Sequence, residues 1–94
     1  MNTIVWSDLA YLSFSDTADY LTENYSLDVA IKFDEEVEQL LEKLRSFKHF
    51  CPPYELRPML RKCVVNRHTS LMYRVDGTAI YLVTFFDNRG IHPF

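Results

Sequence analysis

Hydrophobic and polar residues alternate through the last third of the chain in the way that β-strands require. The pattern predicts three consecutive antiparallel strands, over about Leu60–Asn66, Ser70–Val75 and Thr78–Phe86. Asp76-Gly77 predicts a type I′ hairpin turn between the last two, because both central residues of that turn need a positive φ. A sheet this small cannot bury itself, so the preceding residues must cover it.

The last predicted strand is apolar on both faces, which indicates an interior position in the sheet. In the strand before it, Leu71, Tyr73 and Val75 point to one face, and Met72 and Arg74 point to the other. The same alternation in the last strand sets Ile80, Leu82 and Phe86 against Ala79, Tyr81, Val83 and Phe85.

Two amphipathic helices are predicted upstream, over about Asp8–Asn24 and Leu27–Phe47, after a short first strand at Thr3–Trp6. Ser7 and Ser26 stand where a hydroxyl can cap each helix. The apolar stripes are Ala10, Phe14, Ala18, Leu21 and Tyr25 in the first helix, and Ala30, Phe33, Val37, Leu40, Leu41, Leu44 and Phe47 in the second.

These elements predict an α+β fold in the order β-α-α-β-β-β, with a helical hairpin packed on a small, mainly antiparallel sheet. Residues 1–94 are expected to form one domain. The segment His49–Pro58 contains three prolines, which exclude a regular helix and a central strand, so it is predicted to be irregular.

Composition changes this picture only through its charge. The chain is 48% hydrophobic and 24% charged, with a net charge of −3, and has no apolar run near the ~18 residues of a membrane helix. Residues 1–50 hold ten acidic and four basic residues, whereas residues 51–94 hold three acidic and six basic ones. This asymmetry indicates either an anionic partner for the basic half or a solvated acidic helical face.

The beginning of the sequence, MNTIVWSDLA, shows no export signal, so a cytoplasmic location is expected. Cys51 and Cys63 could pair, but two cysteines in such a chain favour reduced thiols. Together with His49 and His68 they offer zinc ligand types at spacings that match no paired-ligand motif, so no metal is expected. No glycine-rich phosphate loop is present, and no cofactor is expected.

The order of these segments resembles the RelE/ParE superfamily of bacterial toxins over nearly the whole chain. IVWSDLA resembles the first strand and helix start, and TADYLTENYSLDVAIKFDEEVEQLLEKL resembles the helical hairpin. CPPYELRPMLRKCVVNRHTSLMYRV resembles the proline-bearing loop with the arginine- and tyrosine-bearing strands, and IYLVTFFDNR resembles the final strand. The resemblance implies a toxin that inhibits growth and is neutralised by a cognate antitoxin protein, without a metal or cofactor.

Two activities are known in this superfamily, and the resemblance leaves both open. RelE-like members cleave mRNA, usually on the ribosome, by promoting attack of a ribose 2′-OH on the adjacent phosphate, which needs cations and proton-transferring groups. ParE-like members bind DNA gyrase and trap its complex with broken DNA. A third reading is an inactive member that only binds its antitoxin.

The candidate site residues follow from type and position. Arg89 matches the arginine that follows the family's last strand, and Arg61 matches an arginine within a strand of the family. Arg67 lies in a turn. These three arginines could converge on one phosphate-binding concavity. His92 is a candidate for proton transfer because histidine titrates near neutrality, and Glu55 is a weaker candidate for a general base. Ser70-Leu71 stands where RelE-like members often carry an arginine, which favours the ParE branch.

Overall fold

The computed structural model describes residues 1–88, and all structural statements below concern that range. Its elements are β1 (Thr3–Trp6), α1 (Asp8–Asn24), α2 (Leu27–Ser46), β2 (Pro53–Tyr54), β3 (Arg57–Val64), β4 (Thr69–Asp76) and β5 (Ala79–Asp87). The predicted α+β class, the helical hairpin and the order of the long elements are confirmed. The addition is β2, a two-residue edge strand within the proline-bearing segment.

The five strands form one sheet in the order β1-β5-β4-β3-β2. β1 pairs with β5 in parallel, and the other neighbouring strands pair antiparallel. β5 is therefore an interior strand, as its two apolar faces predicted. β4 occupies the middle of the sheet.

Both helices begin at the predicted serine caps. The Ser7 hydroxyl accepts a hydrogen bond from the amide of Ala10 at 2.9 Å, and the Ser26 hydroxyl accepts one from Val29 at 3.2 Å. Each bond satisfies an amide that has no partner within the first helical turn. The two-residue connection at Tyr25 and Ser26 turns α2 back against α1, which produces the hairpin.

The hairpin covers one face of the sheet, and the core lies between the two layers. Six residues of the predicted α2 stripe are buried there, but the seventh, Phe47, is 67% exposed because α2 ends at Ser46. The prediction that Tyr25 belongs to the apolar stripe is also wrong, because this residue is 64% exposed. Rings of Trp6, Phe14, Phe33 and Phe85 pack with centroids 5.3–6.3 Å apart at the centre.

The prediction of which β5 side chains share a face is wrong at the C-terminal end of the strand. Tyr73 pairs with Leu82, whereas the next residue back, Met72, pairs with Thr84, so β5 contains one extra residue at this point. Such a bulge reverses the alternation beyond it. Phe85 therefore joins Ile80 and Leu82 in the core, and Phe86 turns to the opposite face.

The β4–β5 turn also differs from the prediction. Asp76 pairs with Ala79, so the two central residues are Gly77 and Thr78 rather than Asp76 and Gly77. Gly77 has φ +61°, and no other residue among 1–88 has a positive φ. A positive φ at the first central position alone is the pattern of a type II′ turn, which also matches the twist of a hairpin.

The prediction of reduced thiols is wrong for this structure: Cys51 and Cys63 form a disulfide, with Cα atoms 5.3 Å apart. Cys51 lies in the segment after α2, and Cys63 lies in β3 on the core face, directly opposite Leu71. The folded chain brings together two sulfur atoms whose spacing along the chain did not indicate that they pair.

Candidate functional site

The sheet face opposite the helices forms the candidate site, and we call it the open face. The strand registers place on it Lys62 beside Met72, Arg74 beside Tyr81, and Phe86 beside Ser70. Within residues 1–88 no helix packs on this side. Arg74 is exposed on this face, Lys62, Tyr81 and Phe86 are half-buried, and Ser70 and Met72 are buried.

Cations lie over aromatic rings on the open face. The Lys62 ammonium is 5.5 Å from the ring centroid of Phe86 and 6.0 Å from that of Tyr54, and the Arg74 guanidinium is 4.5 Å from that of Tyr81. Such contacts stabilise the cation and hold its stem flat on apolar surface. Met72, whose partners on the neighbouring strands are Lys62 and Thr84, is 8% exposed.

The two halves of the charge asymmetry lie in different layers of the fold. All ten acidic residues of the first half lie on α1 and α2, with only three basic residues there. Residues 47–88 hold six basic and three acidic residues. The helical layer is therefore strongly acidic, and the sheet with its loops is basic.

Arg61 does not lie on the open face. Its cross-strand partner is Tyr73, a core residue, so the two side chains share the helix-covered face. Its Nη1 donates a hydrogen bond of 2.6 Å to the carbonyl of Cys51, in the segment after α2. Through this contact Arg61 holds the segment after α2, a role that its position in the sequence did not indicate.

Tyr73 occupies the centre of the same cluster. Its hydroxyl donates to the carbonyl of Lys48 at 2.8 Å and accepts from the amide of Cys51 at 3.3 Å. Burial raises the pKa of the Tyr73 hydroxyl above 10.0, and the Cys51 hydrogen bond and the nearby Arg61 charge only partly oppose that shift. Tyr73 is therefore a neutral phenol that organises backbone rather than a group poised to exchange protons near pH 7.

Arg67 lies in the exposed turn between β3 and β4, where its Nε donates to Nε2 of His68 at 3.2 Å. Arg61 is followed by three more residues of β3, which ends at Val64. Arg67 lies three positions after that end. The structure thus places these two arginines on different parts of the sheet. Glu55 is exposed at the β2–β3 turn, and Arg89 and His92 lie outside the described residues.

Asparagines fix the end of the sheet near Arg67. The Asn66 side chain accepts from the amides of His68 and Thr69 at 2.8 and 3.0 Å, which shapes the turn. Asn88 donates from its backbone amide to His68 and from its side chain to Asn66, at 2.8 and 3.0 Å, and its side chain also contacts Ser70. These bonds tie the end of β5 to the β3–β4 turn.

Sequence reasoning overlooked Lys62, Arg74, Tyr54, Tyr81 and Phe86 as site residues. A signal for two of them was present, because a two-residue turn at Gly77-Thr78 places Arg74 opposite Tyr81. The others depend on the bulge in β5 and on the edge strand β2. Within residues 1–88, no group of three or more histidine, cysteine, aspartate or glutamate side chains could hold a metal ion.

Neither helix of residues 1–88 has the combination of length and apolar character that crossing a membrane demands. No family model matches the sequence, and neither does any curated protein. Similarity is found at the level of structure.

Solved toxin structures share this fold over almost their whole length. A chain of the chromosomal ParDE toxin–antitoxin system from P. aeruginosa superposes with a TM-score of 0.78 at 17% identity, covering 93% of this chain and 96% of that one. A copper-bound mutant toxin from Helicobacter pylori gives 0.68 at 13% identity, covering 98% and 100%. The YoeB/ParE toxin from Agrobacterium tumefaciens gives 0.65 at 10% identity, covering 92% and 98%. At these identities the similarity establishes that the chain has the fold of ParE- and YoeB-type toxins.

Proposed function

We propose that this protein is a RelE/ParE-superfamily toxin of a type II toxin–antitoxin system, which inhibits growth in the cytoplasm until a cognate antitoxin binds it. The observation that carries the proposal is the superposition on a ParDE chain across 93% of this chain and 96% of that one. Because the coverage is this extensive on both sides, the likeness concerns the whole folding unit and not one motif. Fold alone does not specify chemistry, and the target has to be argued from the site.

DNA gyrase is the target that we propose. The highest of these TM-scores belongs to the ParDE system, and the site among residues 1–88 supports binding better than proton-transfer chemistry. Arg61 and Tyr73 are engaged with the backbone of the segment after α2. The open face instead offers Lys62 and Arg74 on an apolar surface, which suits contact with an acidic and apolar patch of a protein.

One observation favours mRNA cleavage as the second candidate. Lys62 lies between the rings of Tyr54 and Phe86, and interleaved cations and aromatic rings are the features that bind single-stranded nucleic acid. A YoeB/ParE toxin from A. tumefaciens and a YoeB dimer from Staphylococcus aureus share the fold at TM-scores of 0.65 and 0.60. The acidic helical layer opposes this candidate, because it repels a polyanion that approaches from that side.

Induced expression in a bacterial host separates the candidates. Gyrase poisoning predicts growth arrest, filamentous cells and intact mRNA, together with linear DNA when the purified chain is incubated with gyrase and a supercoiled plasmid. Cleavage predicts arrest with new mRNA 5′ ends and no linear DNA. Normal growth at full expression would contradict the toxin proposal and leave a protein that only binds an antitoxin.

A matched pair of variants connects the effect to the open face. Lys62→Gln removes a cation from that face, and Lys32→Gln removes one from the exposed surface of α2. We expect the first to weaken growth inhibition and the second to leave it unchanged. Equal effects would mean that the open face is not the contact surface.

A further inference from the structure

The disulfide connects the segment after α2 to strand β3. Cys51 lies in the loop between α2 and β2, residues 47–52, which we call the latch loop. Cys63 lies in β3, 12 positions further on, with 1% exposure in the core. The bond therefore fastens the latch loop to the helix-covered face of the sheet.

Little else in the latch loop is buried. Phe47 and Phe50 are 67% and 50% exposed, and Cys51, at 6%, is the one residue of the loop in the buried class. The Lys43 ammonium on α2 lies 5.4 Å from the ring centroid of Phe50. A segment with so few buried apolar contacts opens at low free energy unless something else restrains it.

The Phe47 amide restrains the start of the loop by bonding to the Lys43 carbonyl, and the Lys48 ammonium bonds to the Gly77 carbonyl, both at 2.8 Å. Four more hydrogen bonds lie next to the disulfide. Two involve Tyr73, whose hydroxyl bonds to the Lys48 carbonyl and the Cys51 amide. The third is the bond from Arg61 to the Cys51 carbonyl, and the fourth, of 3.1 Å, runs from the Lys62 amide to the Pro52 carbonyl. Three of these four bonds are made by Cys51 or its neighbour Pro52, so the sulfur bridge fastens the part of the loop that makes them.

We propose that the Cys51–Cys63 disulfide is a redox-controlled latch: its reduction frees the latch loop and releases the Arg61 guanidinium from the Cys51 carbonyl. The inference rests on the proposed function only in placing the chain in the cytoplasm, where protein disulfides are usually transient or redox-sensing. The bond and its surroundings are observed independently of that function.

The chemistry requires a dithiol reductant such as a thioredoxin-type protein or dithiothreitol. Its thiolate attacks the sulfur of Cys51, the less covered of the two, so that a mixed disulfide forms and Cys63 leaves as a thiolate that takes up a proton. The second thiol of the reductant then displaces Cys51. The protein gains two electrons and two protons, and the reductant becomes a disulfide.

Opening the latch affects the open face as well as the core face. β2 follows the latch loop directly, and the bond between the Lys62 amide and the Pro52 carbonyl helps to hold it on β3. Tyr54, in β2, contributes one of the two rings near the Lys62 ammonium. Reduction therefore weakens the aromatic contact of Lys62 at the same time as it releases Arg61.

Amide hydrogen exchange on the purified chain tests the proposal, with the air-oxidised protein compared with protein in dithiothreitol. Mass spectrometry first checks that the oxidised chain gains roughly 2 Da on reduction. We expect exchange in residues 47–56 to become at least about tenfold faster, while residues 27–46 of α2 and 69–87 of β4 and β5 keep their protection. A Cys51→Ala/Cys63→Ala variant should show the pattern of the reduced protein without any reductant.

Three results would overturn the latch. The chain could lack the disulfide after purification in air, or exchange in residues 47–56 could remain the same on reduction. Loss of protection in β4 and β5 would instead identify the bond as a general support of the fold. None of these measurements uses growth inhibition, so failure of the latch and failure of the proposed toxin function are distinguishable.

Discussion

Nη1 of Arg61 donates a hydrogen bond of 2.6 Å to the backbone carbonyl of Cys51. Arg61 is half-buried in β3, and Cys51 is bonded through its sulfur to Cys63, two positions after Arg61. The guanidinium and the disulfide therefore hold the same loop residue from two sides. A residue whose type suggested phosphate binding is thus part of the structure that fixes the loop after α2.

Arg61→Ala is expected to lower the free energy of unfolding by about 2 kcal/mol, because the half-buried Cys51 carbonyl loses a charged donor. Arg67→Ala, in an exposed turn, is the matched control and should change it by less than about 0.5 kcal/mol. Urea unfolding followed by fluorescence measures both. Equal stabilities for the two variants would show that the Arg61 contact does not stabilise the fold.

Growth inhibition by the same two variants adds information about the site. If Arg61 also binds the target, its loss should reduce inhibition beyond the reduction in folded protein, which a soluble-protein measurement corrects for. Inhibition that follows the amount of folded protein alone would assign Arg61 a purely structural role.

Alkaline pH should destabilise the protein through Tyr73. Burial raises the pKa of this phenol above 10.0 in the folded chain, so the folded state keeps a proton that the unfolded state loses. The stabilisation is complete below about pH 10 and is lost as pH rises through the folded pKa. Unfolding midpoints in urea from about pH 8 to about pH 11 should fall more steeply for the wild type than for Tyr73→Phe.

The comparison with Tyr73→Phe isolates this one phenol, because the two proteins are identical at every other residue. At neutral pH the variant should be less stable by about 1–3 kcal/mol, since the Lys48 carbonyl and the Cys51 amide lose their partner. Parallel curves for the two proteins would contradict the raised pKa.

Ser13→Ala is expected to destabilise the chain by about 1–3 kcal/mol, although it replaces one small residue with another. Ser13 is 1% exposed on α1, and its hydroxyl accepts from the amide of Phe85 at 2.9 Å. That amide lies just past the β5 bulge, beyond the pairing with β1, and would be buried without a partner. Thermal unfolding measures the loss.

Ser15→Ala serves as the control for Ser13→Ala. Ser15 is half-buried on the same helix, and its replacement should leave stability within about 0.5 kcal/mol of wild type. A loss at Ser15 as large as that at Ser13 would indicate a helix effect and not the bond to β5.

Replacing both cations of the open face, with Lys62→Gln and Arg74→Gln together, should reduce growth inhibition at least about tenfold, because each charge lies where the partner is proposed to bind. The glutamine stems still cover the aromatic rings, so stability should fall by no more than about 1.5–3 kcal/mol, the sum of three cation–π contacts. Dose–response growth curves at matched protein levels measure the effect. Undiminished inhibition would place the contact surface elsewhere.

Local sequence patterns determined the secondary structure of this protein well. The 3.6-residue spacing of Phe33, Val37, Leu40 and Leu44 specifies α2 and its buried face, and the serine caps specify where both helices begin. These signals act within one or two helical turns, so they are present in the sequence whatever the rest of the chain does. The antiparallel hairpins of the sheet followed from the same kind of local evidence.

Tertiary structure decided which residues form the site, apart from Arg74 and Tyr81, which the hairpin turn places opposite each other. The bulge opposite Met72 and Tyr73 turns Phe86 to the open face, and the Phe85 amide just beyond it bonds to Ser13 on α1. The Cys51–Cys63 bond likewise depends on a loop returning to β3, and that return gives Arg61 its backbone partner. Both are contacts between distant parts of the chain, and the alternation within a single strand carries no information about them.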